Sequence, residues 1–177
     1  MDSKIMYFAI GAHSQTNHLY DSKPYSVHLE MVVRYANYYM PKHLSDEIKE
    51  VIINACWLHD TIEDCRLTYN DVKNIAGEPV ADIVYALTNN KGKNRKERAN
   101  EDYYKGIINT PYANFVKLCD RLANVFYSRE SGSRMFEVYK KENESFLYML
   151  TADNCIGMGY NNMLAELSNL LNPNKVT

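Results

Sequence analysis

Trp57-Leu58-His59-Asp60-Thr61-Ile62-Glu63-Asp64 is the stretch that decides the reading of this chain. An imidazole and a carboxylate stand side by side at 59 and 60. Two further carboxylates follow, each four residues on: Glu63 from His59 and Asp64 from Asp60. At helical spacing these four side chains fall on neighbouring faces. The residues around them (Ala55, Cys56, Trp57, Leu58, Ile62) are apolar. Carboxylates in such surroundings are costly unless paired or liganded. A metal ion and a water would satisfy them, with His59 and Asp60 at a helix end and the ion above it. A His-Asp pair alone reads more readily as a satisfied core histidine, and the two added acids turn the reading toward a metal.

Outward from that stretch, two more segments offer ligands. His28 lies in Tyr25-Ser26-Val27-His28-Leu29-Glu30-Met31-Val32-Val33, where its helical neighbours Leu29, Met31 and Val32 are apolar, so it points inward. Asp120 lies in Val116-Lys117-Leu118-Cys119-Asp120-Arg121-Leu122-Ala123-Asn124 and faces the core or a cavity in it. Two imidazoles (His28, His59) and two carboxylates (Asp60, Asp120) can converge on one divalent ion. Such borderline-to-hard donors suit manganese, iron or zinc. Asn124, four residues after Asp120, shares its face, and its amide is placed to hydrogen-bond a substrate hydroxyl or a water. His13, His18 and His43 lie in polar or terminal sequence, and His13 and His43 read as solvated.

The remainder of the chain supports a helical scaffold. Periodic segments run from Tyr25 to Met40, ended by Pro41, and from Asp46 to Leu58, with Asp46 and Glu47 in the first turn where they favour the helix dipole. Thr68 with Asp71 resembles a capping box, and Gly77 stands where a helix-ending glycine would. Pro79 and Pro111 suit first helical positions, the latter after a Thr110 cap. Arg134 to Leu150 and Met158 to Leu171 complete the set, and no sustained alternation predicts strands. Asn89 to Asn100 reads as a polar, basic loop, and residues 1–22 and 172–177 as less ordered at their ends. The 177 residues fit one domain, 1–177, with a core over about 7–150 and a C-terminal helix over about 158–171. A net charge of −2 gives no footprint for nucleic acid. No apolar run spans a bilayer and no signal-peptide core is visible, so no membrane partner is expected. Cys56, Cys65, Cys119 and Cys155 form no C-x-x-C pair, which fits a reduced, cytoplasmic protein.

Three blocks resemble the hydrolase domain of the RelA/SpoT-type alarmone enzymes, and especially the small stand-alone alarmone hydrolases. They are Lys23-Pro24-Tyr25-Ser26-Val27-His28, Leu58-His59-Asp60-Thr61-Ile62-Glu63-Asp64, and Lys117-Leu118-Cys119-Asp120-Arg121-Leu122-Ala123-Asn124. The resemblance covers roughly residues 7 to 150. It implies an all-α HD-domain helical bundle around a single metal site, with one Mn²⁺ held by His28, His59, Asp60 and Asp120. It further implies that Glu63 and Asp64 drive the chemistry, and that the reaction removes the 3′-pyrophosphate from (p)ppGpp, a step of the stringent response. The family usually places an Arg/Lys pair shortly before the Pro-Tyr block. Here the chain reads Thr16-Asn17-His18-Leu19-Tyr20-Asp21, and His18 or Lys23 is expected in that role. Val125-Phe126-Tyr127 stands where the family is often polar or basic.

The expected chemistry is metal-assisted phosphoester hydrolysis, with Glu63 and Asp64 orienting a water and moving its proton. A diphosphate calls for a cationic clamp, for which Lys91-Gly92-Lys93-Asn94-Arg95-Lys96, Arg121 and Arg129 are candidates. Asn124, Lys23, His18 and Arg121 are the substrate-binding candidates. Two rivals stand beside this reading: a phosphohydrolase of another nucleotide or a phosphorylated dinucleotide cofactor, and a non-catalytic nucleotide sensor.

Overall fold

The structure, a computed structural model, describes residues 3–89, 92–151 and 160–172, without the side chain of Lys96. Helices dominate: α1 (Ser3–Gln15), α2 (Ser26–Tyr39), α3 (Asp46–Leu58), α4 (Thr61–Asp64), α5 (Tyr69–Ala76), α6 (Glu78–Leu87), α7 (Arg95–Arg98), α8 (Glu101–Asn109), α9 (Ala113–Glu130), α10 (Met135–Thr151) and α11 (Tyr160–Leu171). Local chemistry sets several of these boundaries. Ser45 caps α3 by accepting from the Ile48 N–H. Thr68 and Asp71 form the reciprocal capping box of α5. Gly77 ends that helix at φ 88°, a conformation open to glycine at little cost, and α6 starts at once with Pro79 in its first turn.

α9 forms the spine. Twelve of its residues are buried, from Ala113 to Ser128, and it packs against α2, α3, α6, α8, α10 and α11. α2 and α3 pair with each other, so the three helices that carry His28, His59 and Asp120 meet side by side. A contiguous buried cluster runs from Ile5 to Leu171, with Phe115, Phe146, Leu29 and Ile52 among its largest fully enclosed side chains. No helix among the described residues is long and apolar enough to cross a membrane.

The structure departs from the sequence reading at several points. The N-terminal segment is a helix that docks on α3 and α4, burying Ile5, Ala9 and His13. A two-residue antiparallel hairpin, β1 (Leu19–Tyr20) with β2 (Lys23–Pro24), pairs Leu19 with Pro24 and Tyr20 with Lys23. It is too short for any alternation to show. Pro111 precedes α9 rather than opening it. The helix starts two residues later, after Tyr112 in the left-handed region at φ 66°. The basic stretch after Asn89 contains α7, capped by the Asn94 side chain on the Glu97 N–H. Lys91, Cys155 and Met158 lie outside the described residues.

Candidate metal centre

His28 sits in the first turn of α2, just past Tyr25, whose carbonyl accepts from the His28 N–H. His59 and Asp60 occupy the corner between α3 and α4. His59 ends one helix, and Asp60 at φ −100°, ψ 0° starts the next. The break lets both adjacent side chains face the same point, which neighbouring residues within one helix cannot do. Asp120 projects from the middle of α9.

His28, His59 and Asp60 each bring a donor atom within 4.8 Å of the others. The two imidazole Nε2 atoms are 3.3 Å apart. Asp60 Oδ2 lies 2.9 Å from His59 Nε2 and 3.6 Å from His28 Nε2. Asp120 Oδ1 stands 3.3 Å from His28 Nε2 and 3.9 Å from His59 Nε2. Donors around an ion at about 2.1 Å sit about 3.0 Å apart in cis octahedral and about 3.4 Å in tetrahedral geometry. The observed spacing is of that size. His59 donates Nδ1–H to the Cys56 carbonyl at 2.9 Å, which turns Nε2 toward the cluster.

The electrostatics call for positive charge at this point. Burial opposes protonation of His59, yet the Asp60 and Asp120 carboxylates raise its pKa to about 9. Burial also opposes ionisation of Asp60, yet His59 holds that carboxyl well below its usual range. Asp120 is likewise held low against its burial, chiefly by Lys117. A divalent ion would supply the charge that the imidazolium otherwise provides, so the residues fit such an ion.

A layer of contacts supports the donors. The Tyr25 hydroxyl donates to Asp60 Oδ2 at 2.5 Å. Lys117 Nζ donates to Asp120 Oδ2 at 3.0 Å, and the Asn124 amide donates to Asp120 Oδ1 at 2.5 Å. Glu63 and Asp64 stand beside the cluster in different surroundings. Asn89 grips Glu63 with its Nδ2 on both carboxylate oxygens (3.0 and 2.9 Å) and its backbone N–H on one (3.3 Å), and Arg98 lies 3.9 Å away. Asp64 is 3.7 Å from His18 Nδ1. Burial, then the charges of Asp60 and Glu63, push the Asp64 carboxyl up to about 7.

All of these acids open on one cavity of about 620 Å³. Its lining includes His28, Asp60, Glu63, Asp64, Asp120 and Asn124, and with them Arg95, Arg98, Lys117, Lys141 and the rings of Tyr103, Tyr139 and Phe146. Arg121 lines it too, but as a buried group. Its guanidinium lies 4.1 Å from the Phe146 ring and 4.9 Å from Tyr139, with Glu142 Oε2 at 3.6 Å. Glu142 also takes the Arg95 Nε–H at 2.9 Å.

The sequence-derived candidates therefore divide. The four ligand candidates, Glu63, Asp64, Asn124 and Arg121 come together. His18 stands at the edge, against Asp64. Lys23 is exposed with its ammonium 5.3 Å over the Tyr127 ring, and it is not part of the cavity wall. Arg129 pairs with Glu130, its chain neighbour. Of the basic run after Asn89, Arg95 reaches the cavity. His13, expected in solvent, is 1% exposed and stacks on Tyr25 at 4.2 Å. Lys117, Tyr25, Tyr20, Asn89 and Arg98 had no assigned role. Lys117 was detectable, three residues before Asp120 on one helix. Asn89 and Tyr20 come from distant segments, and no spacing rule reaches them.

No family profile matches the chain. Curated relatives do. It is 35% identical over 80 residues to a zebrafish (Danio rerio) protein named guanosine-3′,5′-bis(diphosphate) 3′-pyrophosphohydrolase MESH1, covering 45% of this chain and 44% of that one. It is 45% identical over 80 residues to the guanosine-3′,5′-bis(diphosphate) 3′-pyrophosphohydrolase of Aquifex aeolicus, covering 43% of this chain and 11% of that one. The matched segment is thus less than half of either relative. A solved structure described as a metazoan ortholog of SpoT that hydrolyses ppGpp superposes with a TM-score of 0.71 at 19% identity, over 100% of this chain and 98% of the other. The chain has relatives among the guanosine-3′,5′-bis(diphosphate) 3′-pyrophosphohydrolases and carries the helical fold of a SpoT ortholog, as its three motifs implied.

Proposed function

We propose that this chain, read as a single HD domain over 1–177, is a metal-dependent phosphohydrolase that removes the 3′-pyrophosphate from guanosine alarmones. The observation that carries the reading is the convergence of His28, His59, Asp60 and Asp120 beside Glu63 and Asp64, on a cavity that Arg95, Arg98, Lys117 and Lys141 also line. The names of its relatives support the substrate. We assign the four converging residues as ligands and Mn²⁺ as the ion. When bound, the ion polarises the phosphoryl group and lowers the pKa of water toward about 7.

The residues then divide the work. Asp64, half-buried with its pKa near 7, takes the proton of the attacking water. Glu63, turned by Asn89, orients that water. The water oxygen bonds to phosphorus as the bond to the ribose 3′-oxygen breaks. The 3′-oxygen regains a proton and leaves a nucleoside 5′-diphosphate, with pyrophosphate as the second product. Arg95, Arg98 and Lys141 face the charge of the phosphates. A cytoplasmic setting agrees with the unpaired, buried Cys56, Cys65 and Cys119.

Chromatography of ppGpp incubated with the Mn²⁺-loaded protein tests this reading. GDP and pyrophosphate are the expected products, abolished by chelation. A second reading, hydrolysis of another nucleotide or a phosphorylated dinucleotide cofactor, is favoured by one feature. Residues 16–21 bring His18 and Tyr20 against Tyr25 and His28, with no basic pair. Turnover of such a compound with none of ppGpp would select it.

A further inference from the structure

Tyr20 lies on the short hairpin, outside every motif that marks the metal centre, yet it touches that centre twice. Its ring stacks on the His28 imidazole, with centroids 4.8 Å apart and planes 23° from parallel. Its hydroxyl donates to Asn124 Oδ1 at 2.9 Å. Asn124 in turn donates Nδ2 to Asp120 Oδ1, the oxygen that faces His28.

An amide has one acceptor end and one donor end. With Oδ1 engaged by the tyrosine hydroxyl, Nδ2 must face Asp120. A flipped amide would set its oxygen against the carboxylate and its NH₂ against a phenol that has lost its acceptor. Lys117 holds the other Asp120 oxygen at 3.0 Å, so the carboxylate is gripped at both ends. The hairpin itself is anchored. Tyr20 pairs with Lys23 across a turn in which Asp21 is left-handed at φ 60°. The Tyr20 ring also packs 4.6 Å from Tyr127 and edge-on to Tyr25 at 5.9 Å.

We propose that Tyr20 is a positioning residue of the metal centre, acting on two ligands at once: on His28 through its ring and on Asp120 through the Asn124 amide. This rests on the metal assignment above, and not on the identity of the nucleotide.

Mn²⁺ titration of the whole chain by calorimetry, with no nucleotide present, tests it. Tyr20→Phe keeps the ring and removes the hydroxyl, and should weaken Mn²⁺ binding about 3–10-fold. Tyr20→Leu removes both contacts and should weaken it about 10–100-fold, the range of outer-shell partners. The decisive arm is a double-mutant cycle. In an Asn124→Leu background, Tyr20→Phe should have no further effect, because the hydroxyl acts through that amide. Circular dichroism and melting of the metal-free variants separate misfolding from lost positioning. Wild-type Mn²⁺ affinity in folded Tyr20→Phe overturns the proposal, as does a full additional loss in the Asn124→Leu background. Failure of the wild-type chain to bind Mn²⁺, Fe²⁺ or Zn²⁺ overturns the metal assignment and this inference together. Metal binding that responds to Tyr20 as stated, with no ppGpp turnover, leaves the inference standing and removes only the alarmone reading.

Discussion

Glu63 and Asp64 are adjacent on one turn of helix, but their surroundings differ. Asn89 and Arg98 surround Glu63 with donors, whereas Asp64 faces His18 and the charge of Asp60. Glu63→Gln and Asp64→Asn keep each shape and remove the capacity to accept a proton. Both variants should bind Mn²⁺ as the parent does and lose turnover by about 10²–10⁴-fold. Parallel metal titration and single-turnover kinetics check this, and near-parental kcat in both would remove the assigned roles. Lys117 makes a different prediction. Its ammonium and the Asp120 carboxylate form a largely buried pair, and losing one partner strands the other. Lys117→Met should destabilise the metal-free protein by about 2–4 kcal/mol in urea unfolding. Mn²⁺ should then stabilise this variant more than the parent, because the ion replaces the missing positive charge. An equal gain in both would show that Lys117 does not balance the site.

At the scale of the element, α1 is joined to the site by an aromatic cluster. His13 and His18 both stack on Tyr25, at 4.2 and 4.1 Å, and are 3.0 Å apart through their Nδ1 atoms. Burial lowers the His13 pKa to about 4. The charge of Asp60 opposes this, and His18, His59 and His28 add to it. The folded state therefore prefers neutral His13, while the unfolded chain takes up a proton near pH 6.5. Between about pH 6.5 and 4 the unfolded state binds more protons, so this stability is complete above the window and is lost as pH falls through it. The contribution is on the order of 2–3 kcal/mol. His13→Phe keeps the stacked ring and removes the titration. Its stability should decline less than the parent's between pH 7.5 and 5, measured by urea unfolding at both. Parallel declines would place the acid sensitivity elsewhere.

For the whole molecule, the proposed metal centre draws on α2, the α3–α4 corner and α9, three segments far apart in the chain. An ion bound there ties together the helices that enclose the core. At a hundredfold excess over its dissociation constant it should add about 2.7 kcal/mol. For a chain of this length that corresponds to a rise in Tm of about 5–10 °C. A thermal melt with chelator and then with Mn²⁺ reads the shift. A chelator-insensitive Tm together with absent Mn²⁺ binding would remove the ion from the account.

How much of this was legible in the chain follows from the range of the forces involved. Helix periods, the acids in the first turn of α3, the Thr68–Asp71 box and the glycine at 77 are local, and local spacing predicts them. The ligand candidates were legible for a related reason: a histidine or acid inside an apolar helical stretch needs a partner wherever the chain goes. The Lys117–Asp120–Asn124 face follows from one helix turn. Sequence by itself therefore determined the helical class, the inward-facing donors and the acids beside them. Only the tertiary structure decided what completes the site. Asn89 meets Glu63, Tyr20 reaches Asn124 across 104 positions, and α1 buries His13 on Tyr25. Those contacts join segments that only the packing of the helices brings together. Their partners are matched by packing in space, and no periodicity along the chain records them.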